Sequence, residues 1–253
     1  MLLRRVMEHV RTQNWTAVFL DFIIVVVGVF IGIQVANWNE QRADNQRELT
    51  LLKALKVELI DSIRQTNTIV NAYKQVSESG IRAVSYLEED ASCKQDCVQI
   101  IVDFFHASQW QQIEVSLPTY QELLRNGWPQ NREIFIAANG YIRRVTLNSG
   151  PFSESPTYRN LVRGLIPLPI HEPYWSTCFQ LVNGEEVYIS PCDLPITDEI
   201  AIKGLEAIAN EPEVHRALVE WTGYVQSIGN LTDQNEAADT LLRLLDEEIK
   251  TRE

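Results

Sequence analysis

Histidine and cysteine are scarce in this chain, four of each in 253 residues, and glycine supplies only 11. None of the histidines, at positions 9, 106, 171 and 215, falls in an HExxH zinc pattern or belongs to a serine-triad elbow. No cysteine pair has CxxC spacing, and no glycine-rich turn of the kind that cradles phosphate occurs. The sequence therefore gives no reason to expect a metal or a cofactor, and an enzyme would have to assemble its site from scattered Asp, Glu and His. Positive charge is short as well, with 22 basic against 34 acidic residues. Arg4, Arg5 and Arg11 lie before residue 39, so the remainder holds 19 basic and 32 acidic residues, which argues against a nucleic-acid partner.

Charge of either sign is missing between Phe22 and Asn39, and from Phe22 to Ile33 every residue is apolar or glycine. Extended back to Trp15, the stretch "WTAVFLDFIIVVVGVFIGIQVANW" makes about 36 Å of helix, against a hydrocarbon core of about 30 Å. A cleaved signal, a buried helix and a membrane anchor all meet this pattern. Gln34-Val35-Ala36 is a poor cleavage site and bulky "NWNEQR" follows, so the anchor is the better reading. Trp15 and Trp38 then mark opposite interfaces, where an indole keeps its ring in the apolar edge and its N–H near water. Asp21, Val25, Gly28, Gly32, Val35 and Asn39 share one face, and Gly28 with Gly32 forms a GxxxG pair suited to close helix approach. Asp21 reaches headgroup water or pairs with a polar group of another subunit. Besides membrane lipid, the expected partner is another membrane protein or a second copy.

Basic residues flank the run on both sides, so orientation rests on the cysteines. Cys93 and Cys97 sit four apart, and Cys178 and Cys192 bracket "FQLVNGEEVYISP". Two local pairs fit an oxidising compartment. A shared zinc site is disfavoured by the long gap between the pairs and the lack of a nearby histidine. The expectation is a bacterial inner-membrane protein: residues 1–14 cytoplasmic, 15–38 crossing the membrane, 39–253 periplasmic, with Cys93–Cys97 and Cys178–Cys192 as disulfides.

The fold class expected for 39–253 is all-α, an elongated helical bundle. Between Trp38 and Gly80 there is neither proline nor glycine, and Leu52, Leu55, Leu59, Ile63, Ile69 or Val70, Tyr73 and Val76 recur at helical spacing, with Thr66 and Asn67 interrupting. The partner stripe is Val214, Leu218, Trp221, Val225, Ile228, Leu231, Ala238, Leu241, Leu244 and Leu245, running antiparallel, with a kink at "GNLTDQNE". "VQIIVDFFHAS", "SLPTYQELLRNG" and "NREIFIAANGYIRRVTLNS" read as shorter helices, the second opened by a Thr119/Glu122 capping box and closed by Gly127. Seven of the ten prolines fall in 150–199, which predicts an irregular, disulfide-stapled excursion with one short strand in "EEVYIS". Tyr174, Trp175, Phe179 and Tyr188 make it aromatic, either as a surface for a protein or apolar ligand or as a cap on the core. His171-Glu172 reads as surface or loop packing rather than a catalytic pair, and His106, with Asp103 three residues before it, as a core edge rather than a ligand.

"FLDFIIVVVGVFIGIQVANWNEQR", "LLKALKVELIDSI", "TYQELLRNG" and "NREIFIAANGYIRR" together resemble a family of uncharacterised single-span bacterial envelope proteins. The matching residues are Gln34, Asn37, Trp38, Asn39, Glu40, Thr119, Tyr120, Glu122, Leu123 and Gly127, over roughly 18–65 and 117–144. The resemblance implies an anchor followed by a long charged helix and supplies no activity. The cysteines and the proline-aromatic stretch are not part of that pattern. Three function classes follow: an envelope scaffold or accessory subunit, a periplasmic ligand-binding or sensory module, and a hydrolytic enzyme, in that order.

Overall fold

The structure, a computed structural model, describes residues 15–89, 91–113, 116–182, 185–227 and 231–253. The 1–14 segment with its three arginines, and Ile228, lie outside the described residues. Helix α1 spans Trp15–Glu89, followed by α2 (Cys97–Ala107), α3 (Pro118–Arg125), α4 (Arg132–Ser149) and a 3-10 turn at Gly150–Phe152. Then come α5 (Thr157–Leu165), α6 (Leu168–Thr177), strands β1 (Phe179–Val182) and β2 (Glu185–Tyr188), α7 (Asp198–Ala209), α8 (Pro212–Gln226) and α9 (Leu231–Arg252). The chain divides into two compact units at Leu52/Lys53. In the first, α1 is long and apolar enough to cross a membrane, and its most apolar window is nowhere buried against its own chain.

In the second unit α1 continues as the spine. Its buried positions Leu55, Leu59, Ser62, Thr66, Tyr73, Val76 and Ala83, with Ile69 and Gly80, follow alternating steps of three and four residues. The hydroxyls at Ser62 and Thr66 occupy the seam where the apolar reading placed Ile63, which is only half-buried. They are tolerated because each has a partner: Ser62 Oγ bonds Tyr141 Oη at 2.7 Å, and Thr66 Oγ1 accepts from Gln234 Nε2 at 3.2 Å. Thr66 therefore sits in the seam and does not interrupt it. The expected antiparallel pairing is present. Glu88 faces His215, Asn67 faces Asn235, Lys56 pairs with Asp246 and Lys53 with Glu253, so each step back along α1 is a step forward along α8 and α9. Helix α9 also packs on α4, α2 on α7, and α5 on α8.

At Gly80 helix α1 lies close against α8. A Cβ there would lie 2.5 Å from Thr222 Oγ1 and 3.3 Å from Thr222 Cβ, atoms of a stiff, buried, branched side chain. Gly80→Ala is expected to lower stability by about 1 kcal/mol, because overpacking of about 1–3 kcal/mol outweighs the helix-propensity gain of up to about 1 kcal/mol. With Thr222→Ala in the background the clash is gone, and the same substitution should raise the urea midpoint. No reversal of sign would mean that the contact is not what requires glycine.

Two local expectations need correction. Residues 150–199 are not an irregular excursion but carry α5, α6 and a hairpin in register Phe179↔Tyr188 to Val182↔Glu185. Proline does not prevent this, since Pro156 and Pro167 stand at the N-caps of α5 and α6, and Pro169 lies in the first turn of α6. There a missing N–H costs nothing. Among the described residues only Pro173 lies past the first turn of a helix. Nor is there a Thr119/Glu122 capping box. Leu117 is the N-cap of α3, and the Thr119 hydroxyl and N–H both donate to the Glu58 carboxylate on α1. A long-range acid has replaced the local cap. Gly127, at φ 76°, does close α3. Both expected disulfides are formed, with Cα separations of 5.6 Å for Cys93–Cys97 and 5.5 Å for Cys178–Cys192.

Candidate functional site

Within the first unit, Trp15 is 75% and Trp38 61% exposed, and Phe19, Phe22, Ile24, Val29 and Phe30 stand as open as these. Arg42 lies over the Trp38 ring at 6.0 Å. A Cβ on Gly28 or Gly32 would meet nothing within 4 Å, so the small-residue face is bare in the single chain. Asp21 is half-buried on the same face.

In the second unit the four aromatic residues singled out from the sequence do come together. Tyr174 and Trp175 rings are 5.3 Å apart, Trp175 and Phe179 5.1 Å, and Phe179 and Tyr188 6.2 Å. The Cys178–Cys192 bridge ties the hairpin down beside them. They are not a set of exposed rings, however, because Tyr174 and Tyr188 are fully buried and only Trp175 is open, at 37%. Phe105 is the hub. It stacks on Tyr174 at 3.7 Å and 15°, and meets His171 and Trp175 edge-on.

Two arginines of α5, one turn apart, enter this cluster. Arg159 Nη1 donates to the Ser108 carbonyl at 2.9 Å. Arg163 Nε donates to Ser108 Oγ and its Nη2 to Gln109 Oε1, both at 2.9 Å. Its guanidinium lies 5.1 Å from the Phe105 ring and 5.3 Å from that of Trp175. Burial, then the neighbouring Arg159 charge, lowers the Arg163 pKa to about 10, so it remains a cation at neutral pH. Gln109 passes the network on to Tyr174 Oη, and Gln111 Nε2 to Tyr188 Oη, which donates to Glu186 at 2.6 Å. Burial raises the pKa of Tyr73, Tyr174 and Tyr188, so these phenols act as neutral donors and acceptors and not as bases.

Comparison with family models, with curated proteins and with solved structures finds no match. The site must be read from its own geometry. Among the described residues no group of three His, Cys, Asp or Glu is placed to hold a metal ion. What the cluster offers is a rigid cationic and aromatic wall. The sequence reading missed its arginines. Their spacing in "YRNLVRG" was visible, but Ser108 and Gln109 lie more than fifty residues away.

His106 sits in the same core, wholly buried, with Nε2 toward the Cys178 carbonyl at 3.4 Å and Nδ1 without a partner among the described residues. Burial pushes its pKa down to about 4. The unfolded chain takes up a proton at this residue near pH 6.5, before the native state does, so stability is complete above about pH 6.5 and falls as the pH drops toward 4. The loss amounts to about 3 kcal/mol at most. In His106→Phe, urea midpoints should fall less steeply across that window; parallel curves for the two proteins would show that His106 is not the group responsible.

Proposed function

We propose that the protein is a membrane-anchored accessory subunit or scaffold of a bacterial envelope complex. Residues 15–38 lie in the inner membrane, residues 1–14 in the cytoplasm and residues 39–253 in the periplasm, as an elongated helical bundle. The observation that carries the reading is the bare apolar start of α1, whose side chains find no cover among the described residues. Lipid satisfies most of that surface. The Gly28/Gly32 face, where two backbones can approach closely, is where lipid packs worst and another helix best. Asp21 on that face gives the partner a polar anchor point. The two disulfides support a body on the oxidising side of the membrane. The resemblance to single-span envelope proteins agrees, and in this reading Gln34, Asn37 and Trp38 form the outer flank.

Purification in mild detergent at natural expression, followed by native mass measurement, tests the reading. A defined membrane partner, or a second copy, should co-purify and be lost from a Gly28→Leu/Gly32→Leu double variant. A monomer in both preparations would remove association through the span.

A further inference from the structure

A depression of about 510 Å³ lies between α5, the start of α6 and α7, large enough for a small organic molecule. Its charge sets it apart. In a chain with 34 acidic and 22 basic residues, no acidic side chain among the described residues lines it, whereas Arg163 and Lys203 both do. Leu165, Ile166, Leu168 and Ala207 supply apolar lining, and Leu168 stands 81% exposed at its rim. His171 belongs to the wall, with Nε2 against the Ile166 carbonyl at 3.1 Å.

The fold does not use up either cation. Arg163 commits Nε and Nη2 to uncharged acceptors, and among the described residues no acceptor takes the Nη1 hydrogens. The Phe105 and Trp175 rings hold its guanidinium plane in place, so little conformational freedom remains to be lost when an anion docks. Burial and the neighbouring Arg159 charge disfavour its charged form more than the Glu186 carboxylate favours it, a penalty that a bound anion relieves. Lys203 is exposed and makes no ion pair among the described residues, although Glu199 and Glu206 lie one turn away on α7.

We propose that this depression binds a small carboxylate with a short apolar tail. The carboxylate sits between Arg163 Nη1 and Lys203 Nζ, and the tail lies over Leu165, Ile166 and Leu168. Two unpaired cations select the head, and a wall free of acids and rich in aliphatic carbon selects the tail. The inference goes beyond the accessory-subunit reading and stands or falls separately from it.

Hexanoate and hexylammonium, titrated into the full chain in lipid nanodiscs and followed by saturation-transfer NMR, with inorganic phosphate added as a competitor of the hexanoate signal, separate the contributions. Hexanoate should saturate with a Kd of about 1 mM or tighter, phosphate should bind at least about fivefold more weakly, and hexylammonium should not saturate. Lys203→Glu, a surface change that leaves the circular dichroism spectrum intact, should weaken hexanoate about tenfold, while Lys250→Glu, an equal change in net charge on α9, should leave it unchanged. Unsaturable hexanoate, equal binding by Lys203→Glu, phosphate as tight as hexanoate, or saturable hexylammonium would each overturn the proposal.

Discussion

Phe105→Ala is expected to lower the stability of the second unit by about 4 kcal/mol, the usual cost of truncating a wholly buried phenylalanine. The cavity is only part of the loss. Tyr174 gives up a stacking partner at 3.7 Å, Trp175 and His171 lose the ring they meet edge-on, and Arg163 loses one of its two aromatic faces. Each such contact is worth about 0.5–1.5 kcal/mol. Trp175 makes the comparison, because it touches the same residues but is 37% exposed. Trp175→Ala should cost less than half as much. Urea unfolding followed by circular dichroism, with an unchanged slope, measures both. Equal losses for the two variants would mean that Phe105 is one packed residue among many and not the centre of the cluster.

How legible this cluster was in the sequence depends on the range of the interactions involved. Tyr174, Trp175, Phe179 and Tyr188 stood out as a group because they crowd one short segment, and the two disulfides because their partners are close in sequence. Helix α1 announced itself through uninterrupted helical spacing. Two of the misreadings share a physical cause: the role of a polar residue is set by a distant partner. The apolar stripe runs through Ile63, but Ser62 holds the seam position because Tyr141, 79 residues on, meets its hydroxyl. Thr119 has the sequence context of a local cap, yet its hydroxyl donates to Glu58, 61 residues back. Prolines looked like breakers because nothing local fixed which of them began a helix. Read by its three-and-four spacing alone, without regard to polarity, α1 would have yielded the observed seam.

Asp103 is the clearest case of a distant partner deciding a residue's role, and it carries the other large effect. It lies in α2 three residues before His106, a spacing that invites a pair between them, yet its side chain is 5% exposed and turned to Arg82. Arg82 Nη2 and Nε grip the two carboxylate oxygens at 2.6 and 2.9 Å, and Nη2 also reaches Ser79 Oγ at 3.0 Å. Arg82→Ala strands a buried carboxylate and should cost about 3 kcal/mol, the lower end for a broken buried pair because the arginine side chain is itself 48% exposed. Adding Asp103→Leu to an Arg82→Met background should recover much of that loss, since an apolar pair needs no solvation. A second readout follows from His106. The Asp103 charge favours its protonation and the Arg82 charge opposes it. Losing Arg82 alone should raise the His106 pKa from about 4, so the acid loss of stability attributed to His106 begins at the same pH but ends sooner and is smaller. NMR titration of the imidazole in Arg82→Ala checks this directly. An unmoved pKa would show that the Arg82–Asp103 pair holds α1 to α2 without governing the charge state of the buried histidine.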